Sequence, residues 1–172
     1  MLLGRKFDLG DNDEDPPEYL GLRQAEPAAT EGRRESPRFL FVSHVSEDRP
    51  VALEIVDKLE GRGVRCWISP RDLHAGSPFD DEIADAIDAC GAMLLIFSGR
   101  CNESEYIRRE VTVAGEARKI IIPFRIEDSK PQRGLRVRLS DLHWIDAFPT
   151  RDRAIEELAK ALDKLASKDG LT

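Results

Sequence analysis

Residues 104–111 place one carboxylate, that of Glu110, at the border of a predicted amphipathic helix. Side chains four residues apart lie on the same face of a helix, so Tyr106 and Glu110 share one stripe. The neighbouring stripe consists of Ile107, Val111 and Ala114, and it is typical of a helix face that packs on a core. A carboxylate beside such a face can line a cleft and stabilise positive charge that develops on a bound molecule. The segment alone leaves open the alternative of an ordinary surface glutamate.

Length and composition limit the fold and the class of partner. With 172 residues, of which 41% are hydrophobic, the chain can build one full core, so we expect a single globular domain. The formal net charge of -7 argues against a nucleic-acid groove, because phosphate binding needs clustered lysine and arginine side chains. A protein or a small molecule is the more typical partner of a small acidic protein.

The cysteines and the first residues predict the compartment. Cys66, Cys90 and Cys101 are odd in number and have neither C-x-x-C nor zinc-ligand spacing, so we expect no disulfide framework and no metal site. Reduced thiols are typical of a cytosolic protein. No apolar run approaches the roughly 18 residues of a membrane span, and residues 1–6 lack the apolar part of a secretory signal. We therefore predict a cytoplasmic protein without a membrane partner.

The chain divides near Pro37. Acidic residues outnumber basic ones in residues 1–37, and this segment has no sustained apolar period. Such a segment buries too little apolar surface to offset its ordering entropy. We predict a disordered acidic N-terminal arm over residues 1–37 and a folded domain over residues 38–167.

Short apolar runs alternate with amphipathic helices throughout the predicted domain. The runs are residues 39–42, 64–68, 92–97, 120–126 and 142–148. Four helices are predicted, one of them the Glu110 helix, and the apolar faces of the others are Val51/Ile55/Val56/Leu59, Ile83/Ala86/Ile87/Cys90 and Ile155/Leu158/Leu162/Leu165. Several runs are apolar without alternation, as expected of strands covered on both faces. The pattern predicts an α/β fold, a flavodoxin-like, doubly wound, five-stranded parallel sheet with helices on both faces.

The loops after the strands are the place to look for function, because ligands of doubly wound folds bind beyond the carboxyl ends of the strands. We expect these loops to begin at Ser43, Ser69, Ser98 and Arg125. They contain no phosphate-binding glycine loop and no G-x-S-x-G elbow, which disfavours nucleotide triphosphatases, dinucleotide oxidoreductases and serine hydrolases. Asp48 precedes the first helix and is predicted to cap it.

Several boxes, taken in order, resemble the Toll/interleukin-1 receptor (TIR) domain family. Residues 41–48, F-V-S-H-V-S-E-D, resemble its first box, and residues 65–76 are similar to its second strand and the following BB loop. Residues 94–98 resemble the third strand, 106–110 the W-x-x-x-E element and 121–124 the fourth strand. The resemblance covers about residues 38–148 and is greatest to bacterial TIR domains of the NAD-cleaving type. Tyr106 departs from the tryptophan that many catalytic members carry.

The resemblance implies an NAD+ glycohydrolase or ADP-ribosyl cyclase, with NAD+ as substrate and no cofactor, and a role in antiphage defence. It makes Glu110 the catalytic residue. One carboxylate suffices, because nicotinamide leaves as a neutral group and needs no general acid. Substrate contacts are expected from Ser43 and His44 after the first strand, from Arg71 and Asp72 in the BB loop, and from Tyr106.

The resemblance also implies partners. We expect self-association through TIR contacts that include the BB loop, from Pro70 to Pro78, and a downstream effector or sensor protein is a further candidate partner. Two other functions remain open at this point. One is a non-enzymatic TIR interaction module, either a scaffold or an effector that mimics host TIR domains, in which Glu110 is structural. The other is a nucleoside deoxyribosyltransferase, which also uses a carboxylate on a similar α/β frame.

Overall fold

The computed structural model of the chain describes residues 39–70 and 79–169. The predicted arm of residues 1–37 lies outside the described residues, and so do Arg71, Asp72 and all of the predicted BB loop except Pro70.

Within these two described ranges, five parallel strands form one sheet in the order β2-β1-β3-β4-β5. They are β1 (Leu40–Ser43), β2 (Cys66–Ile68), β3 (Ala92–Phe97), β4 (Ile120–Arg125) and β5 (Ile145–Asp146). The second strand, β2, lies on one side of β1, and β3, β4 and β5 follow one another on the other side. The strand order therefore reverses between β1 and β3, which gives the doubly wound topology predicted from the sequence. The second and fifth strands are shorter than the apolar runs that predicted them.

Helices cover both faces of this sheet. They are α1 (Arg49–Glu60), α2 (Phe79–Ala89), α3 (Glu105–Glu116), α4 (Arg133–Leu139) and α5 (Asp152–Asp169), with short 3-10 turns at Ser46–Asp48 and Gly99–Glu103. One core lies between the sheet and the helices α1 and α5, and the other between the sheet and the helices α2, α3 and α4. None of the described helices is long and apolar enough to cross a lipid bilayer.

The strand β3 shows why the sheet reads as apolar runs. All six of its residues are buried, because Leu94 and Ile96 pack in one core while Met93, Leu95 and Phe97 pack in the other. A strand covered on both faces has no polar side to alternate with. Ser98 and Arg100, which come shortly after β3, are therefore attached to a strand that is buried on both faces.

The helix α4 was not predicted from the sequence, whose pattern indicated four helices where the described residues contain five. It has only seven residues, three of them arginines, and only Leu135 and Leu139 on it are buried. Two apolar residues four apart make too short a periodic pattern to distinguish a helix from a polar loop.

Candidate active site

A cleft of about 710 Å3 opens at the carboxyl ends of β1 and β2. Residues that follow these strands line it together with the first turns of α2 and α3 and the 3-10 turn after β3. This is the position expected for the ligand site of a doubly wound sheet. Pro70, the last described residue before the gap, stands on its border.

Glu110 lines this cleft and accepts a hydrogen bond from Ser43, the last residue of β1. The Ser43 Oγ atom lies 2.5 Å from Oε2 of Glu110, and Ser43 itself is buried. Burial raises the pKa of the Glu110 carboxyl to about 7, and the hydrogen bond from Ser43 opposes that rise. Glu110 is therefore close to half-ionised at neutral pH, whereas an ordinary glutamate is fully ionised.

The helix α3 holds Glu110 at the border that its sequence pattern predicted. Ile107, Val111 and Ala114 are buried in the core, and Glu110, just beside this stripe, is partly buried. The helix begins with a side-chain cap, since the backbone N–H of Ile107 donates to Oγ of Ser104 at 3.3 Å. The cap fixes where the first turn starts and so fixes the level of Glu110 along the sheet edge.

Tyr106 lies one turn before Glu110 and forms an aromatic rim with Phe79. The two rings meet edge to face, with centroids 6.0 Å apart and an interplanar angle of 82°. Both residues line the cleft, and 56% of Tyr106 and 44% of Phe79 remain exposed to solvent. Exposed aromatic rings at a cleft are suited to stacking on a flat base. The sequence analysis missed Phe79, although its place four residues before Ile83 extends the apolar stripe of α2.

His44 follows Ser43 and also lines the cleft. Burial lowers the pKa of its imidazole below the ordinary value, more than the hydrogen bond with the backbone of Val42 raises it. The ring is therefore largely neutral at pH 7. A neutral imidazole can exchange hydrogen bonds with a substrate without adding positive charge near Glu110.

A second carboxylate cluster lies at the same edge of the sheet. Asp48 makes no side-chain cap on α1, contrary to the prediction, because its carboxylate is buried and turned towards the end of β3. Its Oδ2 atom accepts a short hydrogen bond from Ser98, and its Oδ1 atom accepts one from the guanidinium of Arg100 at 2.9 Å. Arg100 lines the cleft that Glu110 lines.

His44, Tyr106 and Glu110 are thus brought together at one cleft. Ser43, predicted to contact the substrate, is instead buried behind Glu110 and donates a hydrogen bond to it. Arg71 and Asp72 lie outside the described residues. The described part of the chain contains no group of three histidine, cysteine, aspartate or glutamate side chains placed to hold a metal ion. In the same described residues, Cys66, Cys90 and Cys101 form no disulfide with one another.

One plant protein is similar to this chain in sequence. A protein of Brachypodium distachyon named "Probable 2' cyclic ADP-D-ribose synthase BdTIR" is 34% identical over 99 residues, which are 56% of this chain and 44% of that protein. The match thus spans less than half of that relative.

Two solved structures have the same fold at low sequence identity. The TIR domains of the activated Roq1 resistosome, which directly recognises the pathogen effector XopQ, match with a TM-score of 0.61 at 15% identity, over 73% of this chain and 99% of that chain. The RPS4 and RRS1 TIR domain heterodimer matches with a TM-score of 0.54 at 16% identity, over 74% of this chain and 97% of that chain. A family model described as TIR domain matches residues 40–161. Because this match takes in most of the chain and every strand of the sheet, the chain belongs to the TIR domain family.

Proposed function

We propose that this protein cleaves the nicotinamide–ribose bond of NAD+, as a glycohydrolase or an ADP-ribosyl cyclase. The observation that carries the proposal is the Glu110 carboxylate, which lines a cleft of small-molecule size and whose only described hydrogen-bond partner is the hydroxyl of Ser43. The name of the Brachypodium distachyon relative, a cyclic ADP-ribose synthase, supports the same chemistry.

The reaction needs what this carboxylate offers. When the bond between C1' of the ribose and the nicotinamide nitrogen breaks, its electron pair goes to the nitrogen and nicotinamide leaves as a neutral molecule. The positive charge moves to the ribose, whose C1' and ring oxygen become oxocarbenium-like. An ionised Glu110 that accepts hydrogen bonds from the ribose hydroxyls stabilises this charge. Water then attacks C1' and releases a proton to solvent to give ADP-ribose, or a hydroxyl of the same molecule attacks C1' and releases its own proton to solvent to give a cyclic product.

The residues around Glu110 have complementary roles in the proposal. Ser43 holds the Glu110 carboxylate in one orientation, so that the carboxylate is preorganised for the transition state. His44, kept neutral by burial, does not repel the cationic ribose. The rim of Tyr106 and Phe79 offers stacking surface for one of the two bases of NAD+.

The direct test incubates the purified chain with NAD+ and, separately, with deoxynucleosides, and separates the products by chromatography. We expect nicotinamide together with ADP-ribose or its cyclic form from NAD+, and no base exchange on deoxynucleosides. Exchange of bases between deoxynucleosides would identify a deoxyribosyltransferase. Loss of neither substrate, at protein concentrations that allow assembly, would leave the chain as an interaction module and contradict the proposal.

Self-association belongs to the same proposal. The Roq1 resistosome and the RPS4–RRS1 heterodimer are assemblies of TIR domains, and we propose that copies of this chain assemble through contacts that include the loop between Pro70 and Pro78. A neighbour that completes the cleft makes turnover depend on association. We expect specific activity to rise steeply with protein concentration, in step with the mass measured by light scattering. Full activity per molecule in a dilute, strictly monomeric sample would contradict this part of the proposal.

A further inference from the structure

Arg100 is a cation that the protein fixes at one edge of the cleft. Its NH1 atom donates to Oδ1 of Asp48 at 2.9 Å. The side chain of Asp48 is only 5% exposed, whereas that of Arg100 is 55% exposed. The guanidinium is therefore held at its inner end and leaves donors at its outer end open to the cleft that it lines.

The anchor of Arg100 is itself firmly placed. The second carboxylate oxygen of Asp48 accepts a hydrogen bond from Ser98, which is fully buried directly after β3. Both oxygens of a buried carboxylate are thus engaged, one by a hydroxyl and one by a charged donor, which is the arrangement that makes burial of a carboxylate tolerable. Moving Arg100 would leave Asp48 buried without its cation.

Nothing in the proposed cleavage at C1' uses this cluster. In the proposal, Glu110 stabilises the positive charge on the ribose. Asp48 is buried, and both of its carboxylate oxygens already accept hydrogen bonds. A second oriented group at the same cleft, of positive charge, calls for an anionic part of the ligand. The cleft is not positive as a whole, because Arg49 and Arg100 share its lining with Glu47, Glu103 and Glu110. An anion must therefore be held by directed hydrogen bonds and not by a diffuse positive field.

We infer that Arg100, positioned by Asp48, binds a phosphate of the substrate's diphosphate and so makes the cleft select dinucleotides over nucleosides. The inference rests on the proposed function, since NAD+ carries a diphosphate next to the ribose that Glu110 serves. A guanidinium held at one nitrogen still presents a planar fork that matches two oxygens of a phosphate. Arg100 is then a binding residue, and Asp48 is a positioning residue that acts through it.

The first test is the steady-state kinetics of the Arg100→Ala variant of the full chain with NAD+. A lost charge-assisted hydrogen bond should raise KM about tenfold or more and leave kcat within about twofold. The matched control is Arg62→Ala, which removes the same charge from the turn after α1, where the Arg62 guanidinium donates to the backbone carbonyl of Lys58. We expect the control to leave KM unchanged. Arg100→Lys keeps the charge but not the fork, so its KM should lie between those of the wild type and Arg100→Ala.

The second test uses inorganic pyrophosphate and adenosine as probes, with binding measured by titration calorimetry. Pyrophosphate should bind the wild type and bind Arg100→Ala about tenfold more weakly, whereas adenosine should bind both equally. This measurement needs no turnover, so it separates the two proposals. A chain that leaves NAD+ intact but binds pyrophosphate through Arg100 would overturn the proposed function and keep this inference. A chain that cleaves NAD+ with an unchanged KM in Arg100→Ala, or that does not bind pyrophosphate, would overturn the inference alone.

The positioning role of Asp48 is tested by a double-mutant cycle. Asp48→Asn should raise KM for NAD+ less than Arg100→Ala does, because Arg100 keeps its charge but loses its fixed orientation. In the Arg100→Ala background, Asp48→Asn should have no further effect on KM, since the residue through which it acts is gone. Thermal melts of each variant show whether the domain remains folded at the assay temperature. Equal effects of Asp48→Asn on KM in both backgrounds would assign Asp48 a merely structural role and overturn its positioning role.

Discussion

Two carboxylates at the same edge of the sheet each accept a hydrogen bond from a serine at a strand end, but their other partners differ. Glu110 has Ser43, from the end of β1, and the described residues supply no cation to it. Asp48 has Ser98, directly after the neighbouring strand β3, and in addition the guanidinium of Arg100. A serine at a strand end thus donates to both carboxylates, but only Asp48 is also paired with a cation. We call Asp48 the compensated carboxylate and Glu110 the uncompensated one.

The difference distinguishes the carboxylate that orients Arg100 from the carboxylate that the proposed reaction uses. A compensated carboxylate is stable in its charged form and fixes its neighbours. In the uncompensated carboxylate, burial raises the pKa to about 7, because the charged form is poorly solvated. Any positive charge that appears beside this carboxylate stabilises its charged form. An oxocarbenium-like ribose is such a charge. Glu110 thus becomes better stabilised as the proposed reaction proceeds, which is what transition-state stabilisation requires.

The largest expected effect is on turnover. Glu110→Gln keeps the size of the side chain and an acceptor for Ser43, but it removes the negative charge, so nicotinamide release should fall roughly 100-fold or more. Glu116→Gln, at the exposed end of the same helix, is the matched control and should retain full activity. Chromatographic assay of nicotinamide, with circular dichroism of both variants, checks the prediction. Wild-type turnover in a folded Glu110→Gln variant would exclude the catalytic assignment.

The next effect is on the free energy of unfolding. Replacing the two carboxylates by amides should change it in opposite directions. Glu110 binds its proton more tightly in the folded state, so its contribution to the free energy of unfolding falls as pH rises from about 4.5 to about 7. At pH 8, Glu110→Gln should therefore be more stable than the wild type, by up to about 3 kcal/mol. This gain should shrink towards zero at pH 4, where the wild-type carboxyl is protonated in both states.

Asp48→Asn should instead destabilise the fold at neutral pH, by about 1–3 kcal/mol, because it removes the charged acceptor of Arg100. Urea unfolding of both variants at pH 8, with Glu110→Gln repeated at pH 4 to 5 where the wild type remains folded, measures the two signs. If both substitutions destabilised the domain equally at pH 8, the two clusters would be equivalent and the comparison would fail.

The smallest expected effect is on pH dependence. In the proposed reaction the ionised form of Glu110 is the active form, so kcat/KM should rise with pH through an apparent pKa of about 7. The hydrogen bond from Ser43 lowers that pKa, so Ser43→Ala should move the rising limb of the profile to higher pH. Thr112→Ala, on the same helix, provides a control because its hydroxyl donates only to the backbone of Arg108. A profile that does not move in Ser43→Ala would show that this hydrogen bond does not tune the carboxyl.

The sequence predicted what local periodicity encodes. The sheet, its strand runs and the border position of Glu110 all follow from the spacing of apolar residues over one or two turns. The Asp48 cluster was missed because its partners Ser98 and Arg100 stand about fifty positions away, and only the pairing of β1 with β3 brings them together. Locally, an aspartate before a helix with a proline in its first turn is a typical cap, and that signal favoured the wrong role.

Tyr106 of the aromatic rim and Glu110 occupy successive turns of α3, but the domain depends on them differently. Tyr106 stands on the first turn with more than half of its surface exposed, while the turn that carries Glu110 is secured by Ile107 and Val111 in the core. Replacing an exposed aromatic side chain costs little folding free energy, so substitutions at position 106 should leave the domain folded. In the proposed function, such substitutions would change the surface that stacks on a base of the substrate and leave Glu110 in place one turn away.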